Sequence, residues 1–335
     1  MPQPSKGRAT ARTAATAALL LAGCEAAPLS AIDPAGPGAA EIAGVWWLMF
    51  WASLAITAGV VALALFAALR RGAGIGWGPA KLLIIGGGAL FPLAVVAALL
   101  AYGVRAGHAL LPLPTGEEVF RVEVTAHQWW WEVRYPDAAG GTLHDANEIH
   151  IPVGRPVDFR ITTEDVIHSF WVPRLGGKID AIPGQENVVR LRADAPGTYR
   201  GQCSEFCGAQ HSRMGFHVVA HDEAALEERL ALLAAASRDP SAADAADRGA
   251  ALFARECARC HSVDSREPLA RVGPNLARVV DRRFLAAGLL RNEPGAIRTW
   301  LRTHQLVKPG NLMPVLGHLS DEELDALAAF LGDAQ

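Results

Sequence analysis

Over residues 42–69, and again over 82–104, the chain carries no charged side chain. Each run exceeds the ~20 apolar residues that cross a bilayer core, so the pattern predicts two spanning helices joined by a short loop. The competing structure, two buried helices of a soluble protein, would have to hide both runs completely. Arg70, Arg71 and Lys81 fall in the intervening loop. The tendency of basic residues to stay inside puts that loop in the cytoplasm and everything after residue 105 outside. Trp46, Trp47 and Trp51, near the outer end of the first run, fit an interfacial aromatic belt.

Ahead of these runs stand Lys6, Arg8 and Arg12, a short apolar stretch, and then Leu21-Ala22-Gly23-Cys24. Basic start, brief apolar core and small residues together read as an export signal over residues 1–24. The segment resembles a bacterial lipoprotein signal, which implies a lipidated Cys24. The alternative is an ordinary signal peptide with an incidental cysteine, and both place the N-terminus outside the cytoplasm. The expected location is the bacterial inner (plasma) membrane, multi-pass, facing membrane lipid, with the downstream domains on the periplasmic side.

At 335 residues the chain is long enough for more than one folded unit beyond the membrane. A net charge of −3 gives no basic excess for nucleic acid. The cysteines lie at 24, 203, 207, 257 and 260, one alone and two close pairs. Beyond the initiator and the first apolar run the methionines are Met214 and Met313, each downstream of one cysteine pair. That coincidence suggests soft-ligand metal sites.

Between residues 118 and 220 short β-branched and aromatic runs at 119–125, 129–135, 148–151, 156–162, 188–191 and 216–219 alternate with turn residues such as Pro136-Asp137, Gly140-Gly141, Pro183-Gly184 and Pro196-Gly197. This spacing predicts an all-β sandwich or barrel. Its chemistry lies in Cys203-x3-Cys207-x3-His211-x2-Met214, with His168 upstream. Two thiols, two imidazoles and a thioether suit copper, where a hard ion would take oxygens. One thiolate would suggest a mononuclear blue-copper centre; two on one loop can bridge two copper ions. A disulfide and a zinc site stay open, and His168 alone could be a strand histidine.

Four stretches resemble subunit II of cytochrome c oxidase over roughly residues 40–220: His127-Gln128-Trp129-Trp130-Trp131, Asp165-Val166-Ile167-His168-Ser169-Phe170, Lys178-Ile179-Asp180-Ala181-Ile182-Pro183-Gly184, and the cysteine loop. The resemblance implies a cupredoxin-like sandwich over 106–221 behind a transmembrane hairpin over 40–105. It implies a dinuclear CuA centre with His168, Cys203, Cys207, His211 and Met214 as side-chain ligands and Glu205 through its backbone carbonyl. It further implies that the Glu205 side chain faces a magnesium ion at the boundary with subunit I, and that Trp129 marks the surface where electrons are taken up. The chain departs from the family pattern at Trp77-Gly78-Pro79-Ala80-Lys81, which lacks the glutamate associated with proton uptake.

Residues 222–236 read as a helix, and Ser237-Arg238-Asp239-Pro240-Ser241 as part of a linker, giving a helix-and-linker segment over 222–243. A final domain over 244–335 opens with a helix at 245–256 and leads into Cys257-Ala258-Arg259-Cys260-His261, the C-x-x-C-H pattern of covalent haem c attachment. C-x-x-C also serves redox and zinc sites, so context decides. Arg271-Val272-Gly273-Pro274-Asn275-Leu276 follows, and Lys308-Pro309-Gly310-Asn311-Leu312-Met313-Pro314 supplies a methionine in a loop bounded by prolines. Met313 is the expected sixth ligand of an electron-transfer haem. Ser320-Asp321-Glu322-Glu323 is a capping box for a last helix whose apolar side carries Leu324, Leu327 and Phe330. His304 and His318 read as packing or surface histidines.

The last region resembles an all-α class I cytochrome c, and the whole chain a caa-type subunit II of a proton-translocating oxidoreductase. That implies electron transfer from cytochrome c through haem c and CuA to subunit I, where O2 is reduced to water, with subunit III as a further partner. The alternative is the CuA subunit of a nitric oxide reductase variant.

Overall fold

The computed structural model describes residues 28–70, 74, 76–114, 116–236, 248–267 and 272–332. The export signal with Cys24, the loop residue Arg71, the segment 237–247 and Arg271 lie outside the described residues.

Two helices, α1 (Pro37–Leu69) and α2 (Trp77–Ala109), each have 33 residues, and the most apolar stretch of each has no contact that buries it within the chain. At 1.5 Å per residue each is about 50 Å long, more than the ~30 Å hydrocarbon core requires. Helix α2 runs as a π-helix over Leu83–Leu90, which contains Gly86-Gly87-Gly88. Helix α1 begins with a proline in its first turn, where its missing N–H leaves no bond unmade. The segment before it is stitched to the extramembrane part: the Ala35 amide donates to the Arg174 carbonyl (2.7 Å), and the Asp194 amide to the Ala35 carbonyl (2.9 Å). A Cβ on Gly36 would lie 2.1 Å from the Arg192 carbonyl oxygen, so only glycine permits this approach.

The extramembrane part begins with a β-sandwich. One sheet has the order β3-β2-β1-β5-β8 and the other β4-β10-β9-β6-β7. The strands are β1 (Phe120–His127), β2 (Trp130–Pro136), β3 (Thr142–Ala146), β4 (Glu148–Pro152), β5 (Val157–Thr163), β6 (His168–Trp171), β7 (Ile179–Ala181), β8 (Asn187–Leu191), β9 (Gly197–Cys203) and β10 (Gly215–His221). Pairs β1–β5 and β4–β10 are parallel. Alternation in β5 buries Val157, Phe159, Ile161 and Thr163 and turns Arg160 outward, as one buried face requires. Between the sheets Trp131, Phe170 and Phe216 meet with ring centroids 4.5–5.7 Å apart. Phe216 fills the space over Gly201, where a Cβ would lie 2.2 Å from its ring. Strands β3, β6, β7 and β9 stand outside the six apolar runs expected from sequence. They carry His, Asp, Ser and Gly, and it is ladder pairing that makes them extended.

Helix α3 (Glu223–Ala235) buries Leu226 and Leu233, the latter in the sandwich core. Beyond the undescribed segment, α4 (Arg248–Glu256), α5 (Ala296–Val307) and α6 (Asp321–Gly332) surround a second core. Helices α4 and α6 cross closely, because a Cβ on Gly249 would lie 2.4 Å from the Ala326 carbonyl oxygen, and Phe253 packs on Phe330 at 5.3 Å. The Ser320 capping box forms in both directions: the Ser320 amide donates to Glu323 Oε2 (3.0 Å), and the Glu323 amide to Ser320 Oγ (3.3 Å). Helix α5 had no counterpart in the sequence analysis. It follows a left-handed Gly295 with no side-chain cap, so no N-terminal signal marks it.

Candidate metal and haem centres

His168 opens β6, Cys203 ends β9, and Met214 immediately precedes β10. Because β6 pairs with β9 through Phe170↔Cys203, a residue from one strand reaches the loop that leaves the other. In that loop the two sulfurs are 3.8 Å apart, and both cysteines are unbridged. His168 Nδ1 lies 3.8 Å from Cys203 Sγ, and His211 Nδ1 3.7 Å from Cys207 Sγ. Met214 Sδ is 3.9 Å from Cys207 Sγ, and the Glu205 carbonyl oxygen 3.3 Å from Cys203 Sγ. At ordinary metal–thiolate lengths of about 2.3 Å, one ion can touch both sulfurs. Two thiols, two imidazoles, a thioether and a carbonyl exceed the four ligands of a zinc site and form a soft set that fits copper.

Charge at the pair supports cation binding. The hydrogen bond from Cys207, opposed by burial and aided by His168 and the backbone, holds the Cys203 thiol well below its ordinary value. The same contact pushes Cys207 upward, since its thiolate would be a second negative charge beside the first. Bound cations remove that conflict.

The surrounding groups aim the ligands. His168 Nε2 donates to Asp165 Oδ1 (2.8 Å), which turns Nδ1 toward the sulfurs, and the Gln128 amide holds the other Asp165 oxygen at 2.6 Å. Asp165 belongs to a stretch quoted in the sequence analysis but received no role there; its spacing three residues before His168 was the available signal. Asp165→Asn is expected to weaken copper binding about 10–100-fold, the usual effect of removing a ligand-orienting carboxylate. Competition with a copper chelator measures it. Half-buried Trp129 donates from Nε1 to the Cys207 carbonyl (2.9 Å), and Gln128 Nε2 donates to the same oxygen (2.8 Å). Gly208, at φ +111°, makes room for them, since a Cβ there would meet the Trp129 ring at 3.1 Å. The Glu205 carboxylate is half exposed and 3.9 Å from Lys178 Nζ.

In the C-terminal region α4 runs directly into the C-x-x-C-H turn, where the Cys260 and His261 amides both donate to the Cys257 carbonyl (2.9 Å). His261 Nδ1 donates to the Pro274 carbonyl at 2.7 Å, which fixes the orientation of the ring. Burial lowers the His261 pKa against that bond, which favours the neutral form that metal ligation requires. A Cβ on Gly273 would lie 2.5 Å from His261 Cε1, which explains the glycine before Pro274. Met313 and Cys257 pack in one apolar cluster. The Met313 amide donates to Asn311 Oδ1 (3.0 Å), and its carbonyl accepts from Gln305 (3.1 Å). A C-x-x-C thiol pair with Cys257 buried, an oriented imidazole, and a thioether packed in the cluster of Cys257 fit a covalently held haem. His304 is buried and bonded to Asn311, while His318 is exposed beside Glu256.

Residues 140–221 match the family model for the periplasmic domain of cytochrome c oxidase subunit II, and residues 246–335 that for cytochrome c. Cytochrome c oxidase subunit 2 of Alkalihalophilus pseudofirmus is 36% identical over 217 residues, covering 64% of this chain and 61% of that protein. The Bacillus subtilis subunit 2 is 32% identical over 226 residues, covering 64% and 62%. The chain thus spans about three-fifths of the length of the curated relatives it matches. The crystal structure of the periplasmic domain of subunit II of Bradyrhizobium japonicum cytochrome oxidase is 29% identical and covers 36% of this chain and 94% of that one, with a TM-score of 0.32. The architecture is two apolar helices, a cupredoxin-like β-sandwich and a helical cytochrome c region.

Proposed function

We propose that this chain, which joins a region related to oxidase subunit II to a region related to cytochrome c, is the electron-delivering subunit of a terminal respiratory oxidase. The observation that carries the reading is the convergence of four donors, from His168, the Glu205 carbonyl, His211 and Met214, around two unbridged cysteine sulfurs. His168, Cys203, Cys207, His211 and Met214, with the Glu205 carbonyl, would hold the dinuclear copper. Cys257 and Cys260 would hold the haem covalently, with His261 and Met313 on its iron. When bound, the two groups supply stepwise one-electron carriage from a cytochrome c donor to subunit I, which reduces O2 to water.

The residues themselves do the positioning. Asp165 and the Pro274 carbonyl each fix the tautomer of a ligand histidine, and the prolines beside Met313 restrict its loop. Helices α1 and α2 anchor the chain among membrane lipid and against subunits I and III, with the ends that carry Arg70 and Lys81 on the cytoplasmic side. The half-exposed Glu205 carboxylate would meet a magnesium ion at the subunit I boundary, as the resemblance to oxidase subunit II implies.

The test is metal and haem analysis of the full chain, matured in an oxidising compartment, combined with electron paramagnetic resonance. Two coppers and one covalent haem per chain, with one unpaired electron shared by both coppers, is the expected result. A single copper, or zinc, or a Cys203–Cys207 disulfide would overturn the copper reading.

A further inference from the structure

The haem region does not hang from its linker; it is built onto the sandwich. Asp145 of β3 is fully buried and receives two guanidinium groups, Arg282 Nε from the haem region (2.9 Å) and Arg229 Nη2 from α3 (3.2 Å). Nearby the Arg283 amide donates to Glu148 Oε2 (2.8 Å), and His217 stacks on Phe284 with centroids 4.0 Å apart. The backbones also join: the His144 amide donates to the Ser265 carbonyl (2.7 Å), and the Gly215 amide to the Ala287 carbonyl (3.1 Å).

These contacts reach both haem-ligand loops. Arg282 Nη2 also donates to the Asn275 carbonyl (2.7 Å), one residue from the Pro274 carbonyl that orients His261. On the methionine side, buried Lys308 donates from Nζ to the Trp129 carbonyl (2.5 Å), and buried Gln210 donates from its side-chain Nε2 to the Pro309 carbonyl. Gln210 adjoins His211, and Trp129 is bonded to the Cys207 carbonyl. The loop that carries Met313 therefore sits on the copper loop and covers the Trp129 side.

We propose that the haem region is permanently docked on the copper sandwich, with Asp145 as the positioning residue that locks it, so that electrons cross within the chain without a docking step. The buried carboxylate is shared by an arginine of α3 and an arginine of the haem region, and removing Arg282 or the carboxylate leaves buried charge less compensated. The transfer is a one-electron exchange, in which ferrous haem is oxidised and the copper pair reduced, with no bond or proton moved. The rate argument rests on the proposed function; the docking does not.

The experiment uses the full chain in detergent. After photoreduction of the haem, the transfer rate in the unaltered chain should be independent of glycerol viscosity. Asp145→Asn and Arg282→Gln should leave the copper and haem spectra intact but slow the transfer about tenfold, as expected if only about a tenth of the population stays docked, and make it viscosity-dependent. Unchanged rates in both variants, or viscosity dependence already in the unaltered chain, would overturn the lock. Hydrogen exchange on the unaltered chain tests docking even if the variants misfold or the metals are absent. The His144, Gly215 and Arg283 amides should be protected as strongly as the sandwich core; exchange at loop rates would sink the proposal.

Discussion

Cys203→Ser is expected to abolish the shared-copper resonance while the haem stays attached. The serine hydroxyl remains protonated at neutral pH and offers a hard oxygen where a soft thiolate stood. Cys203 is also the sulfur approached by His168, Cys207 and the Glu205 carbonyl, so its removal takes away the bridge. The loss of copper affinity should exceed the roughly 10–100-fold that follows loss of an orienting partner alone. Metal analysis and paramagnetic resonance on the full chain provide the measurement. Retention of two coppers sharing one electron would show that the bridge lies elsewhere.

The second large effect is expected at the haem. Met313→Ala should leave the haem covalently held through Cys257 and Cys260, and copper bound, but remove the thioether that raises the reduction potential of such centres. Axial ligation sets haem potentials over about 0.8 V, and a fall of at least about 120 mV is expected here, a hundredfold in each one-electron equilibrium. A lower potential makes the haem a poorer acceptor, so uptake from the donor is impaired. Redox titration followed by haem absorbance measures it. An unchanged potential would mean that Met313 is a packing residue of the cluster it shares with Cys257. Loss of both centres from either substitution would contradict two separately assembled sites.

The two sites were legible in the sequence to different degrees. The cysteine loop is contiguous, so spacing alone exposed Cys203, Cys207, His211 and Met214 as a donor set. His168 lies 35 residues away from Cys203, and donor chemistry could nominate it there but could not separate it from an ordinary strand histidine. The structure supplies the cause in the β6–β9 pairing. The strands with strong apolar alternation were visible in the same way, whereas β3, β6, β7 and β9 depend on partners that local composition does not reveal.

What the sequence determined by itself is chemistry that travels along the backbone: two runs too apolar for water, a C-x3-C-x3-H-x2-M loop and a C-x-x-C-H turn. In each, neighbours in the chain are necessarily neighbours in space, so spacing is geometry. The tertiary structure decided the relation between the centres. Asp145 and Arg282 are 137 residues apart, and Trp129 and Lys308 are 179 apart. Each reads alone as an ordinary charged or aromatic residue. Only burial at a shared interface, where an unpaired charge is too costly to leave, makes them partners. The docking that sets one centre against the other is therefore a property of the folded chain.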